Sequence, residues 1–235
     1  MTSPLQTARQ GIDRLLRRCV VHFLHIGKAA GTQVEKLADA INASPGSVHI
    51  RKHGHAVLLR HLPKKTLYFF SIRRPDTRFR SGFYSRKRQG LPAHNVPWTE
   101  AEARAFAAFE HANDLAEALF GPRGAEAAAA MLSIQHAALH QVDWFKGRGF
   151  FLQDRPPLAI LRQEHFDTDL QRLRVSLGLE TLPDLPAQAH RSDYTDTPPL
   201  SDKATTNLRR WYAADDAFYD MCEGWLTSRP VTLEG

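Results

Sequence analysis

The sequence predicts an α/β protein in which a mainly parallel central sheet is flanked by helices. Short runs of apolar, β-branched and aromatic residues recur along the chain, and most are followed by segments whose apolar residues return every three or four positions. Strands that alternate with helices in this way are typical of a parallel sheet. The chain has 235 residues, 43% of them hydrophobic, which is enough to bury the core of such a protein. We therefore expect a single domain over residues 1–235.

The N-terminal part of the chain predicts a strand between two helices. Residues 5–17 form a short amphipathic helix that leads into the strand "VVHFL" at 20–24. A loop containing glycine follows this strand. The next helix runs from Thr32 to Ile41, because its apolar residues recur at spacings of three and four.

Two further strands are predicted before residue 75. "SVHI" at 47–50 has the composition of a short strand, and "TLYFFSI" at 66–72 reads as a buried strand. Proline is favoured in the first turn of a helix, so Pro75 marks the start of a helix directly after the second of these strands.

The middle of the chain, about 90–149, predicts an α-helical insertion. Residues 99–120 and 124–139 are rich in alanine and other strong helix formers, and Gly121-Pro122 separates them. Nothing in this region indicates chemistry.

The last third of the chain returns to the strand and helix pattern. "PLAIL" at 157–161 predicts a buried strand, and a helix follows at about 166–177. A terminal helix over 201–222 would be capped by Ser201 or Asp202, since both residue types accept hydrogen bonds from first-turn N–H groups.

Composition favours a protein of a reducing compartment that binds an anion. The net charge is +6, from 31 Lys and Arg against 25 Asp and Glu. The chain lacks zinc-finger spacing, an RNA-binding aromatic signature and a long basic tract, so we expect no nucleic acid partner. Cys19 and Cys222 are the only cysteines, which indicates neither a disulfide framework nor a cysteine metal site. With no long apolar run, the sequence predicts a cytoplasmic protein without a transmembrane segment.

The first candidate site is the loop Gly27 to Gln33, between the first strand and its helix. The start of a helix offers backbone N–H groups and the positive end of the helix dipole, and Lys28 adds a charge. These features predict binding of a phosphate-like anion. A tight turn whose glycines only allow the backbone to bend explains the loop alone equally well.

A second candidate anion site follows the strand at 66–72. Arg73 comes directly after a buried strand, where ligands bind in open α/β sheets, and Ser81 lies two turns into the helix that Pro75 starts. The alternative is a solvated basic helix face. That alternative is a better explanation of the basic residues further along the helix than of Arg73. These residues are Arg80, Arg86, Lys87 and Arg88.

The third candidate is the His53-Gly54-His55 element between the two anion sites. An imidazole that titrates near neutrality can take a proton from a hydroxyl group. Two histidines at this spacing can also share a metal ion, but the accompanying cysteine or acidic ligands are missing. Taken alone, a histidine pair of no catalytic role is the commoner outcome.

Together the motifs resemble those of sulfotransferases that use 3′-phosphoadenosine 5′-phosphosulfate (PAPS). "FLHIGKAAGTQ" at 23–33 is similar to the family's 5′-phosphosulfate loop, and "IRRPDTRFRS" at 72–81 to its 3′-phosphate motif. The branch with the closest likeness contains heparan sulfate 2-O-sulfotransferase and its bacterial relatives, in which a His-Gly-His element supplies the general base. The resemblance covers about residues 20–86 and 157–222.

The resemblance implies a P-loop-like three-layer sandwich and a set of functional residues. PAPS would be the donor and PAP the product, with no metal. The acceptor would be a hydroxyl group, that of an acidic glycan or glycolipid, for which the basic residues at 86–88 and 209–210 would be suited. His55 would be the base, Lys28 would neutralise the charge that grows on the bridging oxygen of the leaving group, and His53 would contact the acceptor. The donor site would be formed by Gly27, Lys28, Ala29, Ala30, Gly31, Thr32, Gln33, Arg73 and Ser81, with Thr32 and Gln33 capping the helix and Arg78 bracing it.

The chain departs from the family pattern at three positions, and two other functions stay open. Gly27 and Ala29 stand where the family often has proline and threonine, and Arg74 stands where it usually has aspartate. A P-loop kinase would need a hydroxyl residue after Lys28 and an aspartate at a strand end to bind Mg²⁺, and neither is found. A non-catalytic nucleotide-binding module is the other alternative.

Overall fold

In the computed structural model, residues 18–92, 94–146, 150–183 and 196–229 are described. These residues divide into two compact units. The first unit is made of three segments: the chain up to Ile72, a segment that begins at Trp144, and a segment that begins at Trp225. The second unit is made of Arg73 to Asp143 and a later segment that ends at Gly224. The helix predicted at 5–17 lies outside the described residues. Whether the whole chain is one domain stays a prediction.

The first unit is built on a parallel sheet, as the sequence predicts. Its four strands among the described residues pair in the order β2-β1-β3-β4, and every pair is parallel. The strands are β1 Cys19–Leu24, β2 Val48–Lys52, β3 Leu67–Ile72 and β4 Ala159–Arg162. The predicted α/β class and all four predicted strands are therefore confirmed. The helices of the unit are α1 Gly31–Ala43, α6 Phe151–Asp154 and α7 Phe166–Ser176.

The two faces of this sheet carry different residues because side chains alternate along a strand. Val21 and Phe23 of β1 point to the face covered by α1 and α7, whose apolar residues complete a buried cluster. His22 lies between them in sequence and therefore points to the opposite face, where Phe70 packs on the rings of Phe145 and Phe151. A histidine is thus placed among aromatic residues on that face.

The second unit is helical among its described residues. Its helices are α2 Pro75–Lys87, α3 Glu100–Ala108, α4 Ala112–Ala118, α5 Gly124–Ser133 and α8 Asp202–Trp211, and α9 Ala213–Thr227 lies mostly within it. They enclose an apolar core that includes Phe79, Phe83, Phe109, Met131 and Tyr212. The predicted helix start at Pro75 and the predicted cap at Ser201, whose hydroxyl accepts the N–H of Ala204, are confirmed.

Helix ends in the alanine-rich middle differ from the prediction. The single helix expected over 99–120 is two helices separated at Phe109 to His111, and the helix expected over 124–139 ends at Ser133. The terminal helix expected over 201–222 is also two helices, which meet at Tyr212. Buried Phe109 and Tyr212 fix these breaks through tertiary packing, which an alanine-rich pattern cannot reveal.

Candidate functional site

The loop between β1 and α1 has an unusual backbone. Lys28 and Ala30 both adopt the left-handed conformation, with φ of 66° and 61°, although neither is glycine. Non-glycine residues rarely take this conformation, and strained backbone of this kind clusters at ligand sites. The loop then enters α1 at Gly31, and the N–H groups of the first turn lack intrahelical acceptors. The geometry therefore suits an anion.

The predicted cap of α1 is wrong. The helix begins at Gly31, one residue before the predicted start, and the capping position is taken by Ala30, which has no side-chain hydrogen-bonding group. Thr32 and Gln33 lie in the first turn and do not cap it; the N–H of Gln33 donates to the carbonyl of Ala30 at 3.0 Å. With no side-chain cap, the N–H groups of Gly31 and Thr32 are therefore the first-turn donors for a bound anion.

The other loop residues differ in exposure. Gly27 and Ala29 are buried, Lys28 and Gln33 are half-buried, and Thr32 is exposed. Ala29 has no exposed surface, so neither its methyl group nor its backbone reaches solvent in this structure. Ala29 is therefore a packing residue.

Gly31 is a glycine because of a close approach by His25. A Cβ atom at Gly31 would lie 1.7 Å from Nε2 of His25 and 2.3 Å from its Cδ2. Real Cβ contacts are never this short, so any larger residue would displace either the imidazole or the start of α1. The first residue of α1 and the His25 ring thus occupy positions that depend on each other.

His25 is a buried, neutral histidine. It is 9% exposed, and Nδ1 lies 3.1 Å from Oε1 of Glu35 on α1. Burial, followed by the nearby His55 and Lys28, lowers the pKa of His25 to about 4. The contact with Glu35 is therefore a hydrogen bond from a neutral imidazole. The carboxylate accepts the Nδ1 proton, which leaves the lone pair on Nε2.

His55 lies in the turn after β2 and contacts His25. The N–H of Val57 donates to the carbonyl of Gly54 at 3.0 Å, which closes the turn. The His55 ring is exposed, its centroid is 4.1 Å from that of His25, and the two rings meet edge to face at 60°. Nδ1 of His55 lies 3.3 Å from the backbone carbonyl of His25. A carbonyl can only accept, so Nδ1 carries the proton and Nε2 has the basic lone pair.

His22 and His53 form a second histidine pair. Nδ1 of His22 lies 2.8 Å from Nε2 of His53, and the rings stack with centroids 4.9 Å apart. One ring must donate and the other accept. Burial and the neighbouring His53 lower the pKa of His22 to about 3, and burial followed by Arg51 lowers the pKa of His53. Both imidazoles are therefore neutral near pH 7, and the structure gives His53 a partner on β1.

The two predicted residues of the second anion site, Arg73 and Ser81, lie in the second unit. Arg73 makes one hydrogen bond with its backbone and one with its side chain. Its backbone N–H donates to Oε1 of Gln141 at 3.0 Å, and its Nε donates to Oγ1 of Thr77 at 3.1 Å. Ser81 is half-buried on α2. Arg74 is exposed, 3.4 Å from Glu223 and stacked over the ring of Tyr219.

Two other arginines of α2 have structural roles. Arg78 is 1% exposed and donates to the carbonyl of Leu139 at 2.8 Å, in agreement with the bracing role predicted for it. Arg86 is 4% exposed and makes two 2.7 Å hydrogen bonds to the carboxylate of Glu102. Arg86 is thus buried in an ion pair, which corrects the prediction that it belongs to a basic surface for a glycan.

Sequence reasoning missed His22, His25 and Glu35. His22 interrupts an apolar strand, and His25 follows the end of the same strand three residues later, so the spacing of polar residues within "VVHFLHIG" (20–27) was the available signal. The pairing of these residues with His53 and His55 depends on the parallel register of β1 and β2. That register cannot be read from either segment alone.

The described part of the chain contains neither a three-ligand metal site nor a helix that could span a membrane. No group of three or more His, Cys, Asp or Glu side chains there is arranged to hold a metal ion. No helix in those residues is long and apolar enough to cross a membrane.

No family model, curated protein or solved structure matches this chain. Its function therefore has to be inferred from the residues described above and from their geometry.

Proposed function

We propose that this chain is a sulfotransferase that moves a sulfuryl group from PAPS to a hydroxyl group of a carbohydrate. The observation that carries the proposal is the β1–α1 loop, where two left-handed residues lead into an uncapped helix start beside the His25–His55 pair. An anion cradle next to a histidine with a defined tautomer is what transfer of a charged group to a hydroxyl requires.

The loop would hold the 5′-phosphosulfate of the donor. The helix dipole and the first-turn N–H groups of α1 favour negative charge, and the Lys28 ammonium adds a charge-assisted hydrogen bond. Gly27, Ala30 and Gly31 would contribute backbone only, whereas Thr32 and Gln33 could add side-chain contacts from the first turn.

Arg73 and Ser81 would hold the 3′-phosphate. Of the two adjacent arginines, Arg74 is already engaged by Glu223 and Tyr219. Arg73 is held directly after β3 by Gln141, which accepts its backbone N–H, and by Thr77, which accepts from its Nε, so its guanidinium has a fixed position from which to bind a phosphate. These contacts support Arg73 as the ligand.

The reaction would be an in-line displacement at sulfur. The acceptor oxygen forms a bond to sulfur, the bond from sulfur to the bridging oxygen breaks, and PAP leaves with the electron pair. Nε2 of His55 takes the acceptor proton, because Nδ1 already carries one. Lys28 and the helix start stabilise the charge that grows on the bridging oxygen. Every step uses groups of this chain and the two substrates.

The acceptor class is supported by charge. The chain carries +6 overall, and Arg88, Arg209 and Arg210 are exposed. A basic surface attracts an acidic glycan more strongly than a neutral alcohol. Because Arg86 is buried with Glu102, it is left out of this surface.

Calorimetric titration of PAP and of PAPS tests the donor site. We expect both nucleotides to bind, and the Lys28→Ala variant to bind them about 10- to 100-fold more weakly, since a hydrogen bond to a charged group contributes roughly 1.5–3 kcal/mol. Lys65→Ala is the matched control. Lys65 is an exposed lysine just before β3, so it lies at the opposite edge of the parallel sheet, and its loss should leave binding unchanged.

Three outcomes would overturn the proposal, taken from this titration, from a titration with ATP and Mg²⁺, and from a transfer assay. An intact protein with no affinity for PAP or PAPS excludes the donor. Tighter binding of ATP with Mg²⁺ than of PAPS would favour the kinase. A protein that binds PAPS but transfers sulfate to no acceptor in a broad panel would be a nucleotide-binding module.

A further inference from the structure

We propose that His25 and Glu35 are positioning residues that hold the His55 imidazole in the tautomer and orientation needed for proton transfer. The inference rests on the proposed function in one respect, namely that His55 is the base of that reaction. The contacts that carry it all lie within the first unit.

A continuous set of contacts joins α1 to His55. Oε1 of Glu35 accepts the Nδ1 proton of His25 at 3.1 Å and so fixes the rotation of the His25 ring. That ring presents its surface to His55, with centroids 4.1 Å apart at 60°. The carbonyl of His25 accepts the Nδ1 proton of His55 at 3.3 Å. One residue thus contacts the base with both its ring and its backbone.

The His25 ring is also confined by packing on two further sides. The Phe23 ring stacks on it, with centroids 5.3 Å apart and an angle of 24° between the planes. Gly31 closes the other side, because the space that a Cβ atom would fill is occupied by Nε2 of His25. A ring held by a hydrogen bond, a stacked aromatic residue and a glycine has few other orientations available.

Placement of Glu35 on α1 couples the donor loop to the base. Helix α1 starts at the loop proposed to bind the donor, and it also carries Glu35, whose carboxylate orients His25. His25 in turn orients His55. A change at the start of α1 is thus passed to the acceptor side of the reaction through the Glu35–His25 hydrogen bond and the contact of the His25 ring with the His55 ring. A group held by such a partner transfers protons efficiently only when its geometry is maintained.

The test compares Glu35→Ala, Glu35→Gln and Asp39→Ala. Glutamine keeps an oxygen that accepts the His25 proton, whereas alanine removes it. Asp39 lies one turn further along α1, is exposed and pairs with Lys52 at 2.5 Å, so its loss matches the change in charge without affecting His25. His25→Gln is a second variant that removes the ring from its contact with His55.

We expect Glu35→Ala to lower kcat for sulfuryl transfer by at least about tenfold, as part of the roughly 10²- to 10⁴-fold that a general base contributes. KM for the acceptor and Kd for PAP should stay within about twofold of the wild-type values. A twofold change corresponds to about a few tenths of a kcal/mol, which is within ordinary assay scatter. Glu35→Gln should restore kcat, and Asp39→Ala should not change it. A purely structural role would instead change Kd and thermal stability together with kcat.

Nitrogen-15 NMR of the histidine rings tests the same inference, and this measurement does not depend on enzymatic activity. In the wild-type protein we expect His55 to be protonated on Nδ1. Glu35→Ala and His25→Gln loosen or remove the ring contact that orients His55, so its ring can turn away from the carbonyl of residue 25 and we expect a mixture of tautomers. If His55 keeps one tautomer in both variants, or if kcat is unchanged in Glu35→Ala, the positioning role is wrong. A defined tautomer shift in a protein that does not bind PAPS would instead contradict the proposed function alone.

Discussion

The rings of His25 and His55 are in contact, yet only His55 is exposed to solvent. Nε2 of His25 lies against Gly31, in the space where a side chain would begin, and the ring is buried. His55 is exposed, and its proton on Nδ1 leaves Nε2 as the basic atom. In the proposed reaction, this geometry supports His25 as the positioning residue and His55 as the base, a role that the sequence pattern alone had suggested.

The buried histidines predict a stability that falls in weak acid. The pKa of His22 is lowered to about 3 and that of His25 to about 4, from 6.5 in each case. Below pH 6.5 the unfolded chain binds protons that the folded chain does not, so the free energy of unfolding decreases as pH falls toward 4. We expect a loss of about 2–4 kcal/mol between pH 7.5 and pH 5, measured by urea unfolding at a series of pH values.

The variant His22→Gln provides the control for this pH dependence. Glutamine can still hydrogen-bond to His53 but does not titrate. The loss of stability over the same pH range should therefore be smaller than that of the wild-type protein by roughly a third to a half, since His22 is one of three histidines with a lowered pKa, the others being His25 and His53. An identical pH dependence in the variant would show that other groups are responsible.

At the scale of the element, the junction of β1 and α1 was predicted from its glycine loop and its helical spacing. The strand, the loop and the helix are all found, but the helix begins one residue earlier than predicted. The error arose because Ala30 takes a left-handed conformation that its residue type does not signal. The contact of Gly31 with His25 was also beyond prediction, since it depends on where the strand ends in space.

The same junction predicts a large difference between two glycine substitutions. Gly31→Ala places a methyl group 1.7 Å from Nε2 of His25, so we expect it to lower the free energy of unfolding by about 1–3 kcal/mol, the usual cost of overpacking. A Cβ atom at Gly46 meets nothing within 4 Å, and Gly46→Ala should be neutral or slightly stabilising. Denaturant unfolding of both variants measures this difference, and equal stabilities would contradict the close approach.

At the scale of the whole molecule, the sequence predicted the parallel sheet correctly and the helical region only in part. β3 and β4 lie in short apolar runs with clear boundaries, so their positions could be read directly, whereas β1 contains a histidine and β2 was recognised only from the short segment "SVHI". The alanine-rich helices lack such boundaries, and their ends are set by buried residues such as Phe109. The division at Ile72 and Arg73 was not predicted, because the chain passes there from strand to helix without a linker.

Two parts of the candidate site were located from the sequence, namely the loop between β1 and α1 and the His-Gly-His element. The contacts between these two parts were not predicted. The loop follows β1 and His55 follows β2, and these two strands are neighbours in the sheet. Because the carboxyl ends of parallel strands meet at one edge, both segments were placed on the same side of the first unit. The hydrogen bonds that connect them involve His25 and Glu35, which no motif marked.

The most direct test of the central claim is transfer of label from ³⁵S-PAPS to a panel of hydroxylated acceptors that includes acidic glycans. The account predicts label in a carbohydrate acceptor with the wild-type protein, and a rate roughly 10²- to 10⁴-fold lower with His55→Ala. His165→Ala, which removes an exposed histidine after β4, should keep the wild-type rate. Transfer at an undiminished rate by His55→Ala, or no transfer by the wild-type protein to any acceptor, would contradict the account.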